Sequence, residues 1–174
     1  LWLAQGLGRT DGALLEKVLA DEDGRIRAAG VRVLGQQLDR YPVEQATAWL
    51  GKAANDEHPR VRLEAVRVLA KLPGAQPMDL ALQVLKQPMD RFLEYALWLN
   101  VRDRGDGWMS ALLDGSLSLA GRETALDFAL ANLPPERGLE GIRKLMPKPL
   151  PRDGSGPWLG LALKTADPGT ERFR

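Results

Sequence analysis

The chain contains no cysteine and a single histidine, His58. The first absence removes disulfides, thiolate metal sites, a cysteine nucleophile and thioether haem attachment from these residues. The second removes multi-histidine metal clusters. Neither sign of charge dominates: 24 Lys+Arg stand against 23 Asp+Glu, a net charge of +1, so there is no global field of the kind that marks a polyanion binder. No apolar run approaches the ~20 residues that span a bilayer as a helix. Alternating apolar–polar runs and Asn-Gly hairpin turns are also missing, which leaves almost nothing to read as strand. What is present is 174 residues, 44% apolar and 27% charged, a composition suited to one folded domain or one stretch of a larger array. The opening Leu1-Trp2-Leu3-Ala4 has no Met, basic region or cleavage motif and reads like the middle of a helix, so the chain is expected to be an excerpt of a longer protein.

The chain repeats itself. Asp21 to Gly35 and Asp56 to Ala70 align at an offset of 35, with eight identities in 15 pairs, where chance would give about one. Leu15-Glu16-Lys17-Val18-Leu19 falls on Leu50-Gly51-Lys52-Ala53-Ala54, so each unit holds a shorter and a longer apolar segment. A fainter third copy follows at an offset near 31, with Arg91-Phe92 on Arg60-Val61 and Ala96-Leu97 on Ala65-Val66. In the second unit Val61, Ala65, Val68, Leu69 and Leu72 form one helical stripe, and Leu63, Val66 and Ala70 a second. The first unit matches it with Ile26, Gly30, Val33 and Leu34, then Ala28, Val31 and Gly35. Two stripes on one helix imply neighbours on two sides, as stacked units require.

Breakers and caps set the boundaries. Asp56 followed by Pro59 is a helix start, with Gly24 at the equivalent site of the first unit, and Leu72-Pro73-Gly74 is a stop. Helices are expected near 1–7, 12–20, 24–39, 43–54, 59–72, 77–86, 89–102, 107–114, 121–132 and 135–145. Seven of the 12 prolines lie after residue 133; residues 147–157 read as a Pro/Gly-rich linker and 158–174 as the start of a truncated helical unit or tail.

The segment Asp56-Glu57-His58-Pro59-Arg60-Val61-Arg62-Leu63-Glu64-Ala65-Val66 resembles the HEAT repeat. The resemblance implies an all-α fold, an α-solenoid of helical hairpins stacked in a right-handed sense. It spans 1–146, with the best units at 11–39 and 42–73, a degenerate one at 74–104 and divergent helical pairs at 105–146. In that family a loop Asp and the second Arg of the start motif form a polar ladder between units, which implies Asp21 with Arg27 and Asp56 with Arg62. Short helices line the concave face of such arrays, which implies Lys17, Lys52 and Gln83 as partner-binding positions. A second likeness runs through Asp90-Arg91-Phe92-Leu93-Glu94-Tyr95-Ala96-Leu97-Trp98 and Trp108. That stretch resembles the HEAT region of PVC-type haem-binding CxxCH proteins, large exported dehydrogenase and cytochrome c chains. It implies a periplasmic parent, although neither the propeller nor the haem motif lies within these residues.

The expected function is a non-catalytic scaffold that binds a protein partner or sister domains of the same chain, with no catalytic, cofactor or metal residue and no cofactor in this stretch. Its alternatives are a nucleic-acid binder of the HEAT-like DNA glycosylase type and a HEAT-like bilin lyase. Arg25, Arg27, Arg32, Arg60, Arg62 and Arg67 could track phosphates, but acids intersperse them, so a structural ladder is expected and nucleic acid is not. His58 is expected to be a solvated turn residue where Asp23 stands in the sister unit. Trp2, Trp49, Trp98, Trp108 and Trp158 are expected in core or inter-repeat packing. Arg104-Gly105-Asp106 is a chance tripeptide.

Overall fold

The computed structural model describes residues 11–145, with Gly160 besides. The expected helix at 1–7, the linker at 147–157, the terminal unit (Gly160 apart), Trp2 and Trp158 lie outside the described residues. Within them the chain is helical and has no strand: α1 (Gly12–Leu19), α2 (Gly24–Gln36), α3 (Val43–Ala54), α4 (Pro59–Leu69), α5 (Ala75–Leu82), α6 (Arg91–Asp103), α7 (Gly105–Asp114), α8 (Glu123–Ala131) and α9 (Pro135–Leu145). Short 3-10 turns at Leu38–Arg40 and Gln83–Lys86 finish two of the segments expected to be continuous helix.

Helices α1, α2 and α4 start where a side chain can take up amide hydrogens that no preceding turn accepts. Asp11 accepts from Leu14 N–H at 2.6 Å and Asp23 from Arg25 N–H at 2.8 Å. At α4 this work falls to His58, whose Nδ1 accepts from Arg60 N–H at 3.2 Å, and not to Asp56, which the sequence suggested as the start signal. Asp56 sits two residues earlier and holds the His58 N–H at 2.8 Å. His58 is therefore no solvated turn residue. It is half-buried, and its ring lies where a Cβ on Gly24 would have to go.

The described residues divide between two compact units, one holding 11–73 and 79–97, the other 74–78 and 98–145. In the first, α1 packs on α2 and α3 on α4 as hairpins, and the two long helices α2 and α4 lie side by side. Val33, Leu34, Val61, Ala65 and Leu69 are buried along that seam. Glycine lets both contacts of α2 close: a Cβ on Gly35 would collide with Val68 Cγ2 across the seam to α4, and one on Gly30 would come within 2.9 Å of Val18 Cγ1 on α1. In the second unit α8 and α7 both pack on α9 around Trp108, Leu112, Leu130 and Ile142.

Four positions depart from the expected apolar stripes. Ile26 is 43% exposed whereas its sister Val61 is 1% exposed. Val61 has the α1–α2 hairpin before it, and Ile26 belongs to the first described hairpin. Ala70 is exposed and Leu63 half-buried, which leaves Val66 alone fully buried on the second stripe. In the third unit Phe92, aligned above with Val61, is 58% exposed. The buried series there is Leu93, Leu97, Asn100 and Val101, which falls on Val61, Ala65, Val68 and Leu69 at an offset of 32. The turn before α6 is one residue longer: Asp90 caps it, accepting from Phe92 and Leu93 N–H at 2.9 and 2.8 Å, three residues after Gln87. In the second unit the cap follows Asp56 by two.

Candidate functional site: the inter-repeat ladder and the short-helix face

The polar ladder joins different partners from those expected. Arg27 does not pair with the Asp21 carboxylate. Its Nη1 donates to the backbone carbonyls of Asp21 and Glu22, at 2.9 and 3.0 Å, while Nε and Nη2 grip the Asp56 carboxylate of the next unit, each at 2.8 Å. Arg62 repeats the first half 35 residues on: its Nη1 donates to the carbonyls of Asp56 and Glu57 at 2.7 and 2.9 Å. Its second half differs. Where Arg27 finds a carboxylate, Arg62 meets Gln87 Oε1 at 2.9 Å and Pro88 O at 2.7 Å, and its Nε has no partner. Each arginine thus clasps its own turn by backbone oxygens and reaches forward to the next. Asp21 and Asp56 each brace their own turn, Asp21 by accepting from Asp23 N–H at 2.9 Å.

Burial and pairing act on the Asp56 carboxyl in opposite directions. Desolvation raises its pKa, but the Arg27 guanidinium and the His58 N–H together outweigh burial and bring it below the ordinary 3.8. The hydrogen bond to Asp56 raises the Arg27 pKa in turn. On the first turn, the Arg25 guanidinium holds the Asp23 carboxyl down at about 2.

A second cross-link escaped the sequence reading. Glu64, on α4, is 3% exposed and takes Arg32 of α2 and Arg67 of its own helix, the latter at 3.3 Å. A Glu bracketed by arginines at positions of one long helix and its repeat equivalent is the signal that could have exposed it. Lys71 Nζ likewise caps the end of α2 by donating to Gly35 O at 2.8 Å. Of the six arginines that could have tracked phosphates, only Arg60 has no ion pair or side-chain hydrogen bond to another described residue.

The short-helix face is less uniform than its sequence equivalence suggests. Lys17 and Lys52 are exposed, on α1 and α3. Gln83 is half-buried and accepts from Asn55 Nδ2 at 2.7 Å, so it braces the end of α3 rather than standing free. Of the tryptophans, Trp49 is buried and meets Tyr41 edge-on at 5.4 Å, and Trp108 is buried with its indole N–H donating to Val101 O at 2.8 Å. Trp98 is half-buried beneath the Arg102 guanidinium at 4.9 Å. Among the described residues no three His, Asp or Glu side chains group as metal ligands, and no helix is long and apolar enough to cross a membrane.

Residues 12–97 match the family model of HEAT repeats. That match covers the first unit almost end to end, and with the stacked hairpins and the recurring Arg clasp it makes this stretch an all-α helical-repeat solenoid similar to HEAT repeats. Such repeats serve as protein-interaction and scaffold modules. Neither the curated proteins nor the solved structures contain a match to this chain.

Proposed function

We propose that this chain is a non-catalytic scaffold whose short-helix face, marked by Lys17 and Lys52, holds an acidic surface of a protein partner or of a sister domain in its own polypeptide. One observation carries the reading. Arg27, Arg32 and Arg62, the buried Glu64 and the tryptophans Trp49 and Trp108 are occupied in holding helices and turns together, whereas two equivalent lysines stand one repeat apart in solvent. A stack presents equivalent residues in a row, and a row of like charges suits an extended partner of opposite sign. The likeness of Asp90–Trp98 and Trp108 to the PVC-type haem-binding proteins supports a parent of the exported dehydrogenase and cytochrome c kind, in which the array spaces the catalytic and electron-transfer domains.

The test is capture of partners by the immobilised chain and by the Lys17→Glu/Lys52→Glu variant, with circular dichroism to confirm equal folding. A partner held by the wild type and lost from the variant is the expected result. Equal capture by both would overturn the assignment of the face, and retention of duplex DNA at low salt would replace the scaffold reading by the nucleic-acid one. The parent is tested by its full sequence, which should carry a propeller before this stretch and a Cys-x-x-Cys-His motif after it.

A further inference from the structure

The second unit contains a cavity of about 450 Å³ that the scaffold reading leaves unused. Three arginines from three different elements line it: Arg102 near the end of α6, Arg104 at the junction with α7, and Arg137 in the first turn of α9. Two carboxylates share the lining, Asp103 and Asp106, so the guanidinium groups are in excess. Each cation is held in place. Arg102 lies over the Trp98 ring, Arg104 Nη2 donates to Gly74 O at 3.0 Å, and Arg137 Nη2 meets Asp106 Oδ1 at 2.7 Å. Held guanidinium groups lose little freedom on meeting an anion, and the fork geometry of arginine suits oxyanions.

The rest of the lining agrees with that charge. The first turn of α7 carries no side-chain cap, so its amide hydrogens add to the positive field. Gly107 has open space where a side chain would stand. Met109, Leu133 and Pro134 supply an apolar wall. Burial lowers the Arg104 pKa, the sign of a guanidinium set partly out of solvent, where an anion is attracted more strongly than in water. The volume falls in the range of small-molecule sites.

We propose that this cavity binds a small organic phosphate monoester, its phosphate among Arg102, Arg104 and Arg137 and its apolar part against Met109 and Leu133. Asp106 is the internal competitor. It is 83% exposed and holds Arg137 only from the solvent side, so an entering dianion takes its place and releases it to water.

That competition gives the test two opposite signs. The full chain is titrated with phenyl phosphate by calorimetry, with inorganic phosphate and phenol as the two halves of the probe. Saturable binding of phenyl phosphate is expected, tighter than inorganic phosphate, with no heat from phenol. Arg137→Gln should weaken it about tenfold, the loss of one charge-assisted bidentate contact, and Asp106→Asn should tighten it about threefold by removing the nearer of the two carboxylates on Arg137, Glu140 remaining at 3.6 Å. Both residues are exposed, and circular dichroism checks that both variants fold. No saturable heat with phenyl phosphate overturns the proposal. So does a Kd equal in wild type, Arg137→Gln and Asp106→Asn, which would mean a diffuse ionic association. The Lys17→Glu/Lys52→Glu variant should bind phenyl phosphate as the wild type does, which separates this site from the short-helix face.

Discussion

The two rungs of the ladder start from the same residues and end differently. Arg27 and Arg62 occupy equivalent places, and each clasps the two carbonyls of its own turn. Arg27 then closes on a carboxylate and stays partly open to solvent, whereas Arg62 is 3% exposed and closes on a carboxamide and a backbone carbonyl. The first rung is an ion pair. The second is a buried cation solvated by dipoles, with no carboxylate among the described residues within ion-pair distance. A buried charge without a counter-charge depends on every acceptor around it. The second rung is therefore the more fragile of the two, and its fragility arises in the next turn, where Gln87 stands instead of an aspartate.

The comparison can be broken most directly at Arg62. Arg62→Ala leaves the Asp56, Glu57 and Pro88 carbonyls without their donor and should cost about 3 kcal/mol. Urea unfolding reads it, and a cost under about 0.5 kcal/mol would mean a merely solvated side chain. The seam between the same helices gives the next effect. Gly35→Val would force Val68 aside and should cost about 2 kcal/mol, whereas Ala70→Val, at the equivalent but exposed place, should be close to neutral; thermal melts of the two variants decide it.

The ion-paired rung has a pH signature that the second, which lacks a carboxylate, does not share. The Asp56 carboxyl is brought below its ordinary 3.8 in the folded chain, so its contribution is complete above that value and is lost as the pH falls through the folded pKa. Asp56→Asn should cost about 1–2 kcal/mol at neutral pH. Wild-type and variant stabilities should converge on acidification, followed by denaturant midpoints from pH 7 to 2.5, and parallel curves would remove the ion pair from the account. The smallest effect is a gain: Gln87→Glu offers Arg62 the carboxylate it lacks and should add about 0.5 kcal/mol at neutral pH and nothing once that carboxyl is protonated. A loss at neutral pH would show that the carboxamide bond to Asn55 O outweighs the charge.

The hairpins were legible because their signals are local. Proline at 59, the Leu72-Pro73-Gly74 stop and the recurrence of apolar residues at helical spacing act within a few residues, and α3, α4 and α9 begin at the expected residues. The register of the third unit was legible only in part. One extra residue before α6 rotates the helix by about 100°, which exposes Phe92 and buries Leu93, and no feature of the Phe-Leu pair itself announces it. His58 was placed in its turn correctly by its equivalence with Asp23, but its capping bond and its packing on Gly24 depend on a neighbour 34 residues away.

The same distinction holds for the candidate sites. A ladder through Arg27, Arg62, Asp21 and Asp56 was what the HEAT resemblance implied. Which arginine meets which carboxylate did not, because Arg27 and Asp56 are 29 residues apart and meet only when the α3–α4 hairpin lies against α1–α2. Glu64 with Arg32 is the same kind of contact across the seam. The arginine-lined cavity is farther still from local reach, since its three cations come from α6, from the α6–α7 junction and from α9.

By itself the sequence determined that the chain is helical, where most helices begin and end, and that successive copies can cover each other's apolar flanks. These follow from backbone donors, breakers and periodicity, whose range is one or two turns. Only the tertiary structure decided that the ladder runs forward from each arginine to the next turn, that its second rung holds a cation without a carboxylate, and that Gln83 is a brace while Lys17 and Lys52 are free to meet solvent. The reason is geometric: side-chain partners are chosen by the spacing between stacked hairpins and by turn length, and a shift of one residue changes which atoms come within hydrogen-bonding distance.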